Sequence, residues 1–95
     1  MYQIFFTKQA LKDLELLKAA GISGKAKKMV DVIRNDPYQN PPRYEKLVGK
    51  LDGLYSRRIN IQHRMVYQVD DSPVKTEDGC RQGTVKIIRM WTHYE

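Results

Sequence analysis

This sequence has little cysteine, no long apolar run and no signal-peptide pattern, and each of these shortages excludes a structural feature or a class of protein. A single cysteine, Cys80, has no second thiol in the chain, which excludes an internal disulfide. The densest apolar runs, Met1 to Phe6 and Ile87 to Trp91, are far shorter than the ~20 residues that a membrane-spanning helix needs, which excludes a transmembrane protein. The N-terminal residues lack the basic region and small-residue cleavage site of a signal peptide. We therefore expect a cytoplasmic protein without a membrane partner.

Metal-ligating residues are also scarce. The two histidines, His63 and His93, are far apart in the sequence and neither lies close to Cys80, so a tetrahedral ligand set is not supported. We expect neither a metal nor another cofactor. Considered alone, His63 is most simply interpreted as a histidine in a turn whose side chain is hydrogen-bonded to the backbone. His93 is either an idle terminal residue or one that the preceding strand delivers onto a sheet.

Acidic residues are too few to balance the basic ones. The chain has 17 Lys and Arg against 11 Asp and Glu, which gives a formal net charge of +6 and a pI of about 9.6. The excess is concentrated in residues 1–64, which hold 13 basic and 6 acidic residues. Such a charge favours nucleic acid, a phosphate-rich surface or an acidic protein as the partner. Ordinary surface charge that keeps a small protein in solution is the alternative.

The N-terminal third predicts a strand followed by a helix hairpin. Tyr2 to Phe6 is typical of a strand, and Thr7 can cap the helix after it. From Lys8, apolar residues at three- and four-residue spacings predict an amphipathic helix of about three turns, with Asp13 on its solvent face. Ser23 is the predicted cap of a second helix, which Asn35-Asp36-Pro37 ends.

Three lysines near the start of the second helix, Lys25, Lys27 and Lys28, oppose its dipole. Contact with RNA phosphates would compensate for this unfavourable placement. A solvated basic face explains the same lysines equally well.

The remainder predicts one loop and three strands. Residues 37–53 hold three of the four prolines and are expected to form an extended loop. Residues 54–61 and 64–69 alternate with the period of a strand and predict a hairpin joined near Gln62-His63. Residues 70–83 are acidic and rich in turn residues, and residues 84–91 predict a last strand. The predicted order is β-α-α-β-β-β in a single domain over residues 1–95.

Alternation in the first strand of this hairpin separates its two faces. One face carries Tyr55, Arg57, Ile59 and Ile61, and the other carries Ser56, Arg58 and Asn60. The second face brings Arg58 close to Arg64 of the next strand. Two adjacent guanidinium groups repel each other unless an anion joins them. Pairing with acids on an exposed sheet is the alternative, but few acids lie in this stretch.

Glu45 is the only acid between Asp36 and Asp52, and Arg43, Lys46 and Lys50 flank it. Spacing alone is compatible with an ordinary surface glutamate. A carboxylate among cations also has the character of a general base, so both interpretations stay open.

Several stretches together resemble the YoeB/Txe family of toxins, within the RelE-like superfamily of bacterial toxin-antitoxin systems. They are Tyr44 to Leu47, Leu51 to Ile59, His63 to Tyr67 and the terminal His93-Tyr94. The resemblance implies an α+β fold, a small twisted antiparallel sheet with the helix hairpin packed on one face. It also implies a ribosome-dependent endoribonuclease that cuts mRNA in the A site. The implied partners are mRNA on the 70S ribosome and a cognate antitoxin of the YefM/Axe kind, and a homodimer is compatible with the resemblance.

The same resemblance assigns roles to individual residues. Glu45 is expected to act as the general base, Arg58 and Arg64 as the phosphate-binding pair and His93 as the general acid. Tyr94 is expected to help hold the substrate. Metal-independent RNA cleavage needs a base for the 2′-hydroxyl, cations for the phosphorane and an acid for the 5′-oxygen, and these residue types supply all three. Further RNA contacts are expected from Lys25, Lys27, Lys28, Lys46 and Lys50.

Two departures from the family pattern are the acidic insertion at residues 70–83 and Trp91-Thr92 before the terminal pair. The competing hypotheses are a gyrase inhibitor like the related ParE toxins and a plain RNA-binding module. Either would need the basic surface but neither Glu45 nor His93.

Overall fold

A computed structural model describes residues 1–41, 43–47 and 53–90 of the chain. It confirms the α+β class, with two helices between the first strand and the rest. In chain order the elements are β1 (Gln3–Phe6), α1 (Lys8–Ala19), α2 (Ser23–Asn35), β2 (Tyr44–Lys46), β3 (Leu54–Arg58), β4 (Arg64–Asp70), β5 (Val74–Thr76), β6 (Gly79–Arg81) and β7 (Thr84–Arg89).

The main sheet is mixed, whereas we expected an antiparallel one. Its five described strands lie in the order β1-β7-β4-β3-β2, and every neighbouring pair is antiparallel except β1 and β7. Those two run parallel, from Gln3 beside Thr84 to Phe6 beside Ile87. Only a tight hairpin forces antiparallel neighbours, and here most of the chain separates the paired strands. The first and last strands are therefore free to pair in the same direction.

The hydrophobic core lies between the helices and one face of this sheet. Met65 and Tyr67 on β4 and Val85 and Ile87 on β7 point toward the helices and are inaccessible to solvent. The helices contribute Ala10, Leu17, Ala26, Val30 and Ile33 to the core, and Ile59 and Met90, just after β3 and β7, are buried with them. Because side chains alternate along a strand, Arg58 and Arg64 lie on the opposite face of the sheet. The two faces are thus chemically distinct.

The start of α1 follows the prediction, but the start of α2 does not. The Thr7 hydroxyl accepts a hydrogen bond from the Ala10 amide at 3.0 Å and caps α1. Ser23, in contrast, is the first residue of α2, and Ile22 occupies the cap position without a side-chain hydrogen bond. Ile22 packs against the core, so burial of an apolar side chain defines this end of the helix instead of a hydroxyl cap.

Asp13 is buried, so the prediction that it lies on the solvent face of α1 was wrong. Its carboxylate accepts hydrogen bonds from Arg89 Nε at 2.9 Å, the Met90 amide at 3.0 Å and Gln9 Nε2 at 3.0 Å. Burial acts to raise the pKa of Asp13, but the Met90 amide and the Gln9 and Arg89 side chains outweigh it and lower the pKa. The ionised carboxylate thereby ties α1 to the end of β7.

Several strand limits also differ from the expected ones. β3 ends at Arg58 instead of Ile61, because the Asn60 side chain accepts the Gln62 and His63 amides and forms a turn. That turn leaves Ile61 90% exposed, away from the core face on which alternation placed it. His63 is buried beside the turn, and its main-chain oxygen accepts the Ile59 amide.

The predicted loop and the acidic insertion both contain strands. β2 lies within residues 37–53, where pairing with β3 stabilises only three residues as a strand. Residues 70–83 contain the two-stranded hairpin β5-β6. The last strand ends at Arg89, and Trp91 lies outside the described residues.

Candidate active site

A cavity of about 190 Å³ opens on the helix-free face of the sheet. Three of the predicted site residues line it together, namely Glu45, Arg58 and Arg64. Arg43 and Ser56, for which no role was predicted, complete the lining. The side chains are three guanidinium groups, one carboxylate and one hydroxyl.

Strand register explains why these side chains meet. Glu45 on β2 lies opposite Ser56 on β3, and Arg58 on β3 lies opposite Arg64 on β4. Ser56 and Arg58 are two residues apart and therefore share a face. The predicted proximity of Arg58 and Arg64 is confirmed. Glu45 reaches the same face because residues 44–46 form a strand that pairs with β3.

One ion pair crosses this face. Glu45 Oε2 lies 3.4 Å from Arg64 Nη1, so the contact joins β2 to β4 across β3. The Glu45 side chain is half exposed, and an ion pair this accessible to solvent contributes only ~0–1 kcal/mol. Three guanidinium groups against one carboxylate leave the cavity positive, and a bound phosphate would compete with Glu45 for Arg64 at little cost.

Ser56 forms the least accessible part of the lining. The residue is 2% exposed, and its hydroxyl has no hydrogen-bond partner within the described residues. Buried hydroxyl groups are normally hydrogen-bonded, because an unpaired one costs ~1–3 kcal/mol. The strand alternation had placed Ser56 beside Arg58, and this was the only sequence signal that could have indicated a role.

On the opposite face of β3, Arg57 is buried and hydrogen-bonded. Its Nε donates to the Tyr67 hydroxyl at 3.0 Å and its Nη2 donates to the Pro37 carbonyl at 2.9 Å. The guanidinium carbon also lies 5.0 Å from the centre of the Tyr44 ring, which is a cation-π distance. Tyr38 and Tyr55 extend this cluster through edge contacts. The cluster holds β2 and β3 together behind the cavity.

Tyr67 belongs to the same buried cluster. Its hydroxyl donates to the Pro37 carbonyl at 2.9 Å. Burial raises the pKa of Tyr67, and the nearby Arg57 guanidinium opposes that rise only in part. The phenol therefore stays protonated and acts as a structural donor.

Other predicted site residues are not brought to this cavity. Lys25, Lys27 and Lys28 are exposed on α2, across the sheet from the cavity. Lys46 is exposed on β2, but alternation turns it to the face opposite that of Glu45. Lys50, His93 and Tyr94 lie outside the described residues. The RNA contacts of these lysines and the roles of His93 and Tyr94 therefore stay predictions.

Within the described part of the chain, no three His, Cys, Asp or Glu side chains come close enough to hold a metal ion together. Neither of the described helices has the length and hydropathy needed to span a bilayer.

Comparison with known proteins identifies the family. Residues 6–94 match the sequence profile of a family described as the YoeB-like toxin of bacterial type II toxin-antitoxin systems. The toxin YoeB of Mycobacterium bovis is 38% identical over 47 residues, which make up 50% of this chain and 55% of that protein. The chain thus spans about half the length of this curated relative.

Two solved structures support the same assignment. In the heterotetrameric YoeB-YefM complex from Staphylococcus aureus, a chain matches with a TM-score of 0.74 and 30% identity over 99% of both chains. The YoeB dimer from Staphylococcus aureus matches with a TM-score of 0.74 and 30% identity over 98% of both chains. Since the family profile covers nearly the whole sequence, the chain belongs to the YoeB-like toxins of bacterial type II toxin-antitoxin systems.

Proposed function

We propose that this toxin is an endoribonuclease that cuts mRNA in the ribosomal A site and so inhibits translation. The observation that carries the proposal is the meeting of Glu45, Arg58 and Arg64 around one positive cavity. A carboxylate that can accept a proton beside two guanidinium groups suits a phosphodiester substrate. A protein that only bound RNA would need the arginines but not the carboxylate.

The proposed reaction is an internal transfer with general acid-base catalysis. Glu45 takes the proton of the ribose 2′-hydroxyl, and the resulting oxygen attacks the adjacent phosphorus. The bond from phosphorus to the 5′-oxygen breaks, and that oxygen receives a proton. The products are a 2′,3′-cyclic phosphate and a 5′-hydroxyl end. RNA is required because the attacking group is the 2′-hydroxyl itself.

The arginines act on the charge that develops at phosphorus. Arg58 and Arg64 face each other across β3 and β4, so both can contact one phosphate. Their planar guanidinium groups can hold two oxygens each and stabilise the phosphorane. When Arg64 engages the phosphate, its contact with Glu45 is released and the carboxylate becomes available as the base. His93 is proposed as the proton donor to the 5′-oxygen, with Tyr94 beside it on the substrate.

The proposed partners follow from charge and from the family. A net charge of +6 suits both mRNA on the 70S ribosome and an acidic antitoxin of the YefM/Axe kind. We propose that an acidic antitoxin segment covers the cavity and thereby silences the toxin. A homodimer is proposed as well, since the staphylococcal relative forms one.

Mapping mRNA 5′ ends in a translating bacterial extract tests the function. Wild-type protein should produce new 5′-hydroxyl ends at the codon in the A site. The same protein should not produce them in extract whose ribosomes are stalled with a tRNA bound in the A site. Growth arrest with intact mRNA and inhibited DNA supercoiling would instead support the ParE-like alternative.

A further inference from the structure

We propose that Ser56 contacts the substrate, its hydroxyl donating a hydrogen bond to a non-bridging oxygen of the phosphate held by Arg58 and Arg64. The inference deepens the proposed function and rests on it only for the identity of that phosphate as the scissile one. Its basis is the buried Ser56 hydroxyl, which has no hydrogen-bond partner within the described residues.

The position of Ser56 supports a role toward a ligand. Ser56 lies on β3, which is the middle one of the three strands that form the cavity. It is opposite Glu45 on β2 and two residues before Arg58, so Ser56 and Arg58 share a face. The cavity lining contains this hydroxyl and four charged groups. A buried polar group that lines a charged cavity and has no partner among the described residues is available to hydrogen-bond what enters that cavity.

The chemistry of the neighbouring arginine side chains defines which ligand atom the Ser56 hydroxyl contacts. Arg43, Arg58 and Arg64 are donors only, so the species they attract must supply acceptors. A phosphate has more oxygens than one planar guanidinium can contact, and a short neutral donor can take one of them. A lysine or arginine at position 56 would add a fourth cation to a crowded site. A serine adds a donor without that repulsion.

The ion pair between Glu45 and Arg64 lies on the same face of the sheet as the buried Ser56 hydroxyl. It joins β2 to β4 and so crosses the face of β3 on which Ser56 lies. A phosphate that takes Arg64 opens this contact. Anion binding, release of the Glu45 carboxylate and access to Ser56 are then parts of one rearrangement.

Titration with inorganic phosphate, followed by NMR of the backbone amides, tests this contact without any RNA. The comparison is between wild type, Ser56→Ala and the control Ser23→Ala, which removes a hydroxyl at the start of α2 without a capping bond. Loss of one hydrogen bond to a charged ligand should weaken phosphate binding about tenfold to hundredfold in Ser56→Ala. Ser23→Ala should bind like wild type.

Unfolding in urea, measured on the same proteins, separates a ligand contact from a structural role. Removing an unpaired buried hydroxyl should leave the urea midpoint of Ser56→Ala unchanged or raise it. Lower stability with unchanged phosphate affinity would make Ser56 a packing residue and overturn the proposal. Absence of phosphate-induced shifts at Ser56 and Arg58 in the wild type would overturn it as well.

Cleavage distinguishes failure of this inference from failure of the proposed function. If Ser56→Ala weakens phosphate binding but wild type cuts no mRNA, the anion contact stands and the ribonuclease proposal falls. If wild type cuts mRNA and Ser56→Ala cuts it with the same kcat and KM, the ribonuclease stands and the role of Ser56 is wrong.

Discussion

Arg57 and Arg58 are adjacent in β3 yet belong to opposite regions of the molecule. Arg57 is 1% exposed, donates to Tyr67 and Pro37 and lies over the Tyr44 ring. Arg58 is exposed and lines the cavity. A buried cation has a large desolvation cost, so it is retained only where protein groups replace its water. The exposed arginine keeps its water until a ligand replaces it.

The two faces of one sheet are specialised for different tasks. On the helix-covered side, the Arg57 guanidinium of β3 and the Asp13 carboxylate of α1 are hydrogen-bonded and contribute to stability. On the cavity face, the Ser56 hydroxyl has no hydrogen-bond partner among the described residues, and the Glu45-Arg64 contact is weak. Polar and charged groups with weak or missing protein partners stabilise the folded chain little. Such groups are typical of a site that binds a ligand.

The largest expected effect is on the cavity face, from Glu45→Gln. Cleavage should fall about 10²- to 10⁴-fold, because the amide cannot act as the base. Phosphate affinity should stay the same or increase, because a negative charge has been removed from beside Arg64. Cleavage rate and phosphate titration measure the two effects. The control Glu15→Gln changes an exposed glutamate of α1 and should affect neither. Wild-type cleavage by Glu45→Gln would exclude Glu45 from the mechanism.

Replacing the two arginines by methionine should separate the two faces. Arg57→Met removes the donors to Tyr67 and Pro37 and should lower the free energy of unfolding by about 2–4 kcal/mol. Arg58→Met should change that free energy by less than ~0.5 kcal/mol while it weakens phosphate binding. Urea unfolding and phosphate titration give the two readouts. Equal destabilisation by both substitutions would mean that the faces are not specialised as described.

Asp13→Asn should weaken the buried face in a pH-dependent manner. The folded pKa of Asp13 is lowered, so its contribution is present above the unfolded pKa of about 4 and is lost as the pH falls through the folded pKa. Loss of the ionised acceptor should cost about 1–3 kcal/mol at neutral pH. Unfolding free energies measured from pH 7 downward should therefore converge for wild type and variant.

A matched control for this series is Asp31→Asn, which removes the exposed partner of Arg34. Its cost should be within ~0.5 kcal/mol at every pH, because exposed ion pairs contribute little. A constant difference between wild type and Asp13→Asn down to strongly acidic pH would show that the charge of Asp13 does not stabilise the fold.

The smallest effect is expected from Arg58→Lys. The net charge stays the same, but the planar fork that can hold two phosphate oxygens is lost. Cleavage should fall roughly tenfold, as for the loss of one charge-assisted hydrogen bond, with the urea midpoint unchanged. Arg34→Lys, on the helix side of the molecule, is the control. Full activity of Arg58→Lys would mean that Arg58 acts only through its charge, as part of a diffuse basic surface.

Local patterns in the sequence determined both described helices, the four strands β1, β3, β4 and β7, and one half of the cavity. The three- and four-residue spacing from Lys8 predicted α1, and alternation predicted that Arg58 and Arg64 share a face. Such periodicities arise within a few consecutive residues, so they can be seen without knowledge of distant partners. The family resemblance then selected Glu45, whose own flanking residues did not distinguish it from a surface glutamate.

Which charged residues are buried and which strands pair depends on contacts that form only in the folded chain. Asp13 follows the solvent-face pattern of α1, yet its partners Arg89 and Met90 come from the far end of the chain. Arg57 is likewise buried because Pro37 and Tyr67 happen to supply acceptors there. Burial of a charge depends on groups that are remote in sequence, as does the pairing of β2 with β3 that carries Glu45 into the cavity. A local pattern contains no information about such partners, because only the folded chain brings them together.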